Sequence, residues 1–238
     1  FIGVIMSHSD IPEFLLKSMI KHALEEDLGG VGDLTSRAVI PDGITYSAKL
    51  NARDMGVLSG MQIAEIAFLM IDKKIEIETC LKDGSYVKPN DTSMIIKGDA
   101  KSIVIAERVA LKFAGRLSGI ATMTSAFEAE TKGTKAKISC TRKTTPGLRL
   151  VEKEAVRHGG GSSHRFGLND AIMIKDNHIA AAGSIQKVLE SARNYASHMT
   201  AIEIEVDTLN QLEQVLNYGG ADVVLLDNMT NEDMLSAV

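Results

Sequence analysis

The chain has 238 residues, of which 45% are hydrophobic and 24% charged, and its formal net charge is −5. This composition is typical of a globular protein with one large domain or two smaller ones, and the acidic balance argues against a nucleic-acid partner, whose binding surfaces are normally basic. No apolar run approaches the roughly 18 residues that cross a membrane. Two cysteines without metal-type spacing favour a cytoplasmic setting.

The first part of the chain, residues 1–115, predicts an α+β module. A capping box and the helical spacing of apolar residues predict a helix over Asp10–Leu28, and Gly29-Gly30 ends it. The expected core face of this helix is Ile11, Phe14, Leu15, Met19, Ala23 and Leu24. The segment around Asp33 is interpreted as a loop with turn or cap chemistry. Further patterns predict strands over 43–53, 74–81 and 92–97 and a short helix over 60–71.

A long helical pattern follows from residue 100 to about residue 132. Arg108 and Arg116 lie on this helix, eight residues apart and therefore roughly on one face. From the residues alone, arginines that are solvated or paired on the surface are the favoured interpretation. We place the start of the second domain, 116–238, within this helix.

The second part of the chain alternates apolar runs with helical stretches, which predicts βα units and a parallel sheet. No Gly-x-Gly-x-x-Gly turn follows a strand, and this weakens a dinucleotide-binding interpretation. Polar residues follow several successive strands, which favours an α/β barrel over an open doubly wound sheet. The predicted strands are 137–140, 171–175, 201–206 and 222–227, and the predicted helices are 149–158, 183–196 and 208–218.

Charged side chains follow these strands, at the ends that a barrel would gather at one mouth. Arginine and lysine suit an anionic substrate, and carboxylates suit a divalent cation such as Mg²⁺ held against phosphates. The pattern therefore indicates transfer chemistry on a phosphorylated, Mg²⁺-bound substrate, although structural ion pairs also occupy strand ends. The residues concerned are Arg142 and Lys143, then Lys175, Asp176, Asn177 and His178, then Glu205 and Asp207, and finally Asp227 and Asn228.

Other features near these strands have simpler interpretations. Gly159–Gly161 is more typical of a helix C-cap and turn than of a phosphate cradle. His178 is suited to cap the helix that follows it, and Cys140 is interpreted as a buried strand residue. His164 alone would be structural, but the adjacent Arg165 favours a position in the site.

Several linked motifs carry a family resemblance. T-R-K-T-T-P-G-L-R is followed by G-G-G-x-x-H-R-x-G-L-x-D and K-D-N-H-I, and earlier E-R-V-A-L and L-S-G-I-A-T agree, as do E-I-E-V-D and L-L-D-N later. Together they resemble quinolinate phosphoribosyltransferase, also called nicotinate-nucleotide pyrophosphorylase (carboxylating), over nearly the whole chain. The resemblance implies an N-terminal α/β sandwich domain and an incomplete, seven-stranded α/β barrel, in dimers or larger assemblies. It implies barrel strands beyond Val238, so we expect the native chain to continue.

The resemblance also implies the reaction and the residues that perform it. Quinolinate and phosphoribosyl pyrophosphate would give nicotinate mononucleotide, pyrophosphate and carbon dioxide, with Mg²⁺, in NAD biosynthesis. Arg142, His164 and Arg165 would hold the quinolinate carboxylates, and Lys143 and Lys175 would lie where the two substrates meet. The same resemblance implies that Glu205 and Asp227 face the ribose and the Mg²⁺-pyrophosphate. It makes Lys143 and Lys175 the other catalytic residues. It also implies that Arg108 reaches the site of the neighbouring subunit.

The chain departs from the family pattern at Cys140, where the family usually has Asp, and at His158 and Ser162-Ser163. None of these positions is an expected catalytic residue. Two other functions remain open at this point: a related phosphoribosyltransferase acting on another acceptor, such as the molybdenum-operon relative, and a catalytically inactive barrel that binds anions or a partner. Carbon dioxide released from carboxyl-labelled quinolinate would separate them.

Overall fold

The computed structural model describes residues 11–238, which form a mixed α/β fold in two compact units, one ending at His164 and one comprising Arg165–Val238. The helices are α1 (Glu13–Leu28), α2 (Leu34–Val39), α3 (Met61–Ile71), α4 (Ala100–Glu130), α5 (Arg149–His158), α6 (Asp176–Ala182), α7 (Ile185–Tyr195), α8 (Leu209–Tyr218) and α9 (Asn231–Ala237). The strands are β1 (Thr45–Asn51), β2 (Gly56–Val57), β3 (Glu76–Thr79), β4 (Tyr86–Val87), β5 (Thr92–Asp99), β6 (Ile172–Ile174), β7 (Ile202–Val206) and β8 (Val223–Leu226). Helix α4 crosses the predicted domain boundary between residues 115 and 116 without a break, and that boundary stays a prediction.

The first unit contains an antiparallel sheet in the order β1-β5-β3, as the alternating patterns predicted. Helices α3 and α4 supply most of the core beside it, and this core includes the fully buried Phe68, Met94, Ile96 and Leu117. The core residues recur at two-residue spacing in β5 and at three- or four-residue spacing in α4, the periods of a strand and a helix. The predicted helices over 60–71 and 100–132 are confirmed.

Two predictions for the start of the chain need correction. Helix α1 buries Leu16, Ile20 and Leu24, whereas Phe14 is 71% exposed and Leu15 44% exposed. The helix carries two adjacent apolar stripes, and only one of them can face the core. The predicted cap Asp10 lies outside the described residues. The segment after Asp33 is the short helix α2 rather than a loop, because the Asp33 carboxylate accepts hydrogen bonds from the N–H groups of Thr35 and Ser36 and so caps it.

The prediction of a strand over 137–140 is wrong. Only an isolated parallel bridge between Ser139 and Ser162 forms there. The Ser162 N–H donates to the carbonyl of Ile138 over 2.8 Å, and the Cys140 N–H donates to the carbonyl of Ser162 over 3.1 Å. The partner segment consists of glycines and serines, which have low strand propensity, so the pairing does not extend.

The second unit contains a parallel sheet in the order β6-β7-β8, which confirms the predicted βα alternation. Ile202, Ile204 and Val206 of β7 are fully buried on the face that packs with α7 and α8. Glu203 and Glu205 alternate with them and therefore lie on the opposite face. No helix in the described part of the chain is both long and apolar enough to cross a membrane.

Candidate functional site

The segment between Cys140 and α5 carries two of the predicted cations on irregular backbone. Arg142 is half-buried and Lys143 is exposed. The segment is shaped by local bonds, because the Lys143 N–H donates to the Thr141 hydroxyl over 3.0 Å and Arg149 Nε donates to the Thr144 hydroxyl over 3.0 Å. Within the described residues, Nε of Arg142 is buried and has no hydrogen-bond partner. An arginine donor suits a carboxylate, because the two form charge-assisted hydrogen bonds.

Glu152 of α5 holds the segment between Cys140 and α5 in place through hydrogen bonds. Its side chain is 8% exposed, and Oε1 accepts hydrogen bonds from Nε and Nη2 of Arg116 at 2.9 and 2.6 Å. Oε2 accepts the backbone N–H of Thr145 over 3.0 Å. Burial would raise the pKa of Glu152, but the hydrogen bonds from Thr145 and Arg116 and the charge of Arg116 outweigh it and lower that pKa. Glu152 is therefore an anchored carboxylate rather than a proton donor.

Arg116 and Arg108 differ although they share a face of α4. Arg116 is paired, as one interpretation held, but its partner is the buried Glu152 and not a surface residue. Arg108 is exposed and forms no ion pair among residues 11–238. The structure thus leaves Arg108 available to a partner.

Lys153, next to Glu152 on α5, joins two further segments. Its side chain is buried, and Nζ donates to Sγ of Cys140 over 2.9 Å and to the backbone carbonyl of His164 over 3.1 Å. Cys140 is half-buried and belongs to no strand, so its interpretation as a buried strand residue is wrong. Lys153 and Glu152 were not among the predicted site residues. Their signal was a pair of charges beside the apolar positions Val151 and Ala155 of one helix.

The three glycines after α5 form a cap and a close approach to α4. Gly159 is the C-cap of α5, and Gly160 adopts a φ of 96°, which confirms the predicted cap and turn. A Cβ on Gly159 would lie 2.6 Å from Cβ of Thr124. A Cβ on Gly161 would lie 2.8 Å from side-chain carbons of both Thr124 and Val156. The glycines therefore let the chain pass tightly against α4 on its way to His164.

The second unit brings Lys175, Glu205 and Asp227 to the carboxyl edge of β6-β7-β8. Nζ of Lys175 lies 2.7 Å from Oε2 of Glu205, and these side chains are 42% and 11% exposed. Asp227 follows β8, where its N–H donates to the carbonyl of Val206 over 3.0 Å. Strand alternation puts Asp227 on the same face as Glu205. Lys175 and Glu205 therefore meet at this edge, and Asp227 follows the adjacent strand, while the roles of these three residues stay predictions.

Neighbouring predicted residues have other partners. Nδ1 of His178 accepts the Lys175 N–H over 2.9 Å, so His178 caps α6 as one interpretation held. Arg165 Nη1 donates to the carbonyl of Ala171 over 3.3 Å, and its buried Nε has no hydrogen-bond partner among the described residues. Burial would raise the pKa of Asp170, but hydrogen bonds from the N–H groups of Phe166 and Gly167 outweigh it and lower that pKa. Through these hydrogen bonds, Asp170 holds the turn that follows Arg165.

The described residues contain no group of three or more histidine, cysteine, aspartate or glutamate side chains that could hold a metal. Glu205 and Asp227 nevertheless offer the oxygen ligands that Mg²⁺ takes, and Mg²⁺ commonly uses one or two protein carboxylates together with water and substrate phosphates. The donor set therefore fits a metal carried largely by a phosphorylated substrate.

Comparisons with known proteins identify one family over most of the chain. Residues 33–118 match the family described as quinolinate phosphoribosyl transferase, N-terminal domain, and residues 120–238 match its C-terminal domain. Over 226 residues the chain is 42% identical to quinolinate phosphoribosyltransferase (decarboxylating) 1b of Nicotiana tabacum, with 92% of this chain and 64% of the relative covered. A Bacillus subtilis protein named probable nicotinate-nucleotide pyrophosphorylase (carboxylating) is 43% identical over 213 residues, with 90% and 73% covered.

Solved structures give the same result. The structure of NadC from Streptococcus pyogenes superposes with a TM-score of 0.91 at 40% identity, covering 97% of this chain and 81% of that one. The nicotinate-nucleotide pyrophosphorylase structure from Francisella tularensis has a TM-score of 0.91 at 37% identity, with coverage of 96% and 80%. The chain thus shares its mixed α/β fold with these proteins, and it spans less than two thirds of the length of the tobacco relative.

Proposed function

Because the chain belongs to the quinolinate phosphoribosyl transferase family, we propose that it transfers the phosphoribosyl group of phosphoribosyl pyrophosphate to quinolinate with decarboxylation. The products are nicotinate mononucleotide, pyrophosphate and carbon dioxide, as a step of NAD biosynthesis. The proposal makes the protein a pentosyltransferase. The observation that carries it is the buried Nε of Arg142, which has no partner among the described residues and stands on a segment held in place by Glu152.

From the family resemblance, we propose Arg142, His164 and Arg165 as ligands of the quinolinate dianion, and Lys143 follows Arg142 in the chain. Nε of Arg142 and Nε of Arg165 are both buried without hydrogen-bond partners among residues 11–238. Two carboxylates would satisfy these donors with charge-assisted hydrogen bonds, which are stronger than neutral ones. Lys143 is exposed and supplies a further positive charge next to Arg142.

The phosphoribosyl donor is the proposed ligand of Lys175, Glu205 and Asp227. The Glu205 side chain is 11% exposed and is paired with Lys175, so the position of its carboxylate is fixed. Mg²⁺, held by Glu205 and Asp227 directly or through water, would neutralise pyrophosphate oxygens. The two carboxylates would also stabilise the positive charge that develops on the ribosyl carbon.

In the proposed reaction, the pyridine nitrogen bonds to the anomeric carbon while the bond from that carbon to pyrophosphate breaks. This nitrogen carries no proton, so no general base is needed. The carboxylate beside the nitrogen then leaves as carbon dioxide, its electron pair stays on the ring next to the cationic nitrogen, and the ring carbon takes up a proton. The side chains contribute by positioning the dianion and by supplying fixed charges.

The same proposal includes the assembly and the setting of the protein. Exposed Arg108, which forms no ion pair in the described part of the chain, is proposed to reach the site of a neighbouring subunit in a homodimer or larger homo-oligomer. An incomplete α/β barrel following an α/β sandwich domain is the proposed architecture. A cytoplasmic location is proposed from the two free cysteines.

The deciding experiment incubates the protein with Mg²⁺, phosphoribosyl pyrophosphate and carboxyl-labelled quinolinate and measures the carbon dioxide released. Release that requires all three components supports the proposal, and no release from a full-length, folded preparation would refute it. Calorimetry of Arg142→Ala tests the carrying observation. We expect quinolinate binding to be lost in this variant but kept in the control Arg37→Ala, which changes an exposed arginine of α2.

A further inference from the structure

Two adjacent charges of α5 are buried although the proposed reaction does not use them. Glu152 is 6% exposed and Lys153 is 3% exposed. Buried charges are unfavourable unless they are paired and hydrogen-bonded, and well-packed apolar side chains often stabilise a fold equally well. Stability alone therefore does not require two ionic side chains at these positions, and their partners indicate what else they do.

The hydrogen-bond partners of both charges include the segments that carry the proposed quinolinate ligands. Glu152 Oε2 holds the backbone N–H of Thr145, three residues after Arg142. Lys153 Nζ holds Sγ of Cys140, two residues before Arg142, and also the carbonyl of His164. The segment of Arg142 is thus held on both sides by one helix, and that helix also holds the backbone of His164.

We propose that Glu152 and Lys153 are positioning residues that hold the Arg142 segment and His164 in the geometry for quinolinate. This inference rests on the proposed function for the identity of the substrate. Between Cys140 and α5 the backbone is neither helix nor strand, so no ladder of backbone bonds fixes it. The described bonds of Lys143 and Thr144 go to Thr141 and Arg142 within the segment and to Arg149 of α5. Glu152 and Lys153 tie this backbone to α5 at Thr145 and Cys140, in addition to the bond from Arg149 to Thr144.

Cys140 supplies one of the two acceptors of Lys153. The Lys153 ammonium donates to a thiol sulfur, a weaker acceptor than a carboxylate oxygen. Cys140→Asp should therefore hold the segment at least as well as the natural residue. Cys140→Ala removes the acceptor, leaves Lys153 with the His164 carbonyl, and should loosen the Arg142 side of the site.

Steady-state kinetics of the full chain tests the inference with matched controls. Glu152→Gln, Lys153→Met and Cys140→Ala should each raise the KM for quinolinate at least tenfold while the KM for phosphoribosyl pyrophosphate changes less than twofold. Cys140→Asp should keep the natural KM. The controls are Glu154→Gln, which changes a glutamate of the same helix that pairs with Arg157, and Cys80→Ala, which changes the exposed cysteine. An equal rise of both KM values, or an unchanged KM for quinolinate, would overturn the inference.

Amide hydrogen exchange provides a readout that does not depend on turnover. Glu152→Gln and Cys140→Ala should speed exchange in a peptide covering 140–148 at least tenfold, while a peptide from α3 keeps its protection. A positioning role would be contradicted if exchange became faster throughout the chain, or if the exchange rate at 140–148 did not increase. If the natural protein releases no carbon dioxide, the proposed function fails, and the exchange experiment still decides whether α5 holds these segments.

Discussion

Replacing Gly159 by alanine should destabilise the protein strongly, although its backbone conformation suits any residue. Gly159 is buried, and its φ of −78° imposes no glycine requirement. The added methyl group would lie 2.6 Å from Cβ of Thr124 and closer still to the backbone carbonyl oxygen of Ala121. Because a carbonyl of α4 cannot rotate away as a side chain can, α4 and α5 would have to separate.

The expected loss is at the upper end of the overpacking range, about 3 kcal/mol. For a chain of this size, each kcal/mol corresponds to roughly 2–4 °C in Tm, so the melting temperature should fall by roughly 6–12 °C. Circular dichroism of the helical signal during heating measures this directly.

The matched control is Gly30→Ala. Gly30 is exposed, no atom lies within 4 Å of its added Cβ, and its φ is outside the left-handed region. The change should raise stability by about 0.5 kcal/mol, because alanine has fewer unfolded conformations to lose. An unchanged melting temperature for Gly159→Ala, or equal effects of the two substitutions, would refute the close approach of α5 to α4.

Three other predictions concern charges. Lys175→Met removes the ion pair of Glu205, and under the proposed function kcat should fall about 10²-fold with circular dichroism unchanged; equal kcat values would contradict the role of the pair. Because the pKa of Glu152 is lowered in the folded state, its stabilisation is present above its ordinary pKa of 4.5 and is lost as the pH falls through the lowered value. Urea unfolding should therefore show a flatter loss of stability on acidification in Glu152→Gln than in the natural protein. Removing Mg²⁺ with EDTA should stop carbon dioxide release, and added Mg²⁺ should restore it; release in the presence of EDTA would remove the metal from the proposal.

The candidate site shows where reasoning from residues reaches its limit. Lys175, Glu205 and Asp227 could be placed together because strand ends in a parallel sheet meet at one edge. Glu152 and Lys153 could not be recognised as anchors, because their partners lie 7 to 13 residues away or on another helix. The charges beside the apolar positions of α5 mark these two residues in the sequence, but they do not identify the partners of those charges.

The amino-acid sequence by itself determined the long helices α1, α3, α4, α5, α7 and α8, the strands β1, β3, β5, β6, β7 and β8, and the parallel pairing in the second unit. These follow from periodicity, from the turn residues and from motifs, all of which act over a few neighbouring positions. The tertiary structure decided which stripe of α1 is buried, that residues 137–140 form only a bridge, and that Arg116 is paired whereas Arg108 has no ion pair in the described residues. Each of these outcomes depends on the surface that packing brings opposite a segment, and that surface comes from residues far away in the chain.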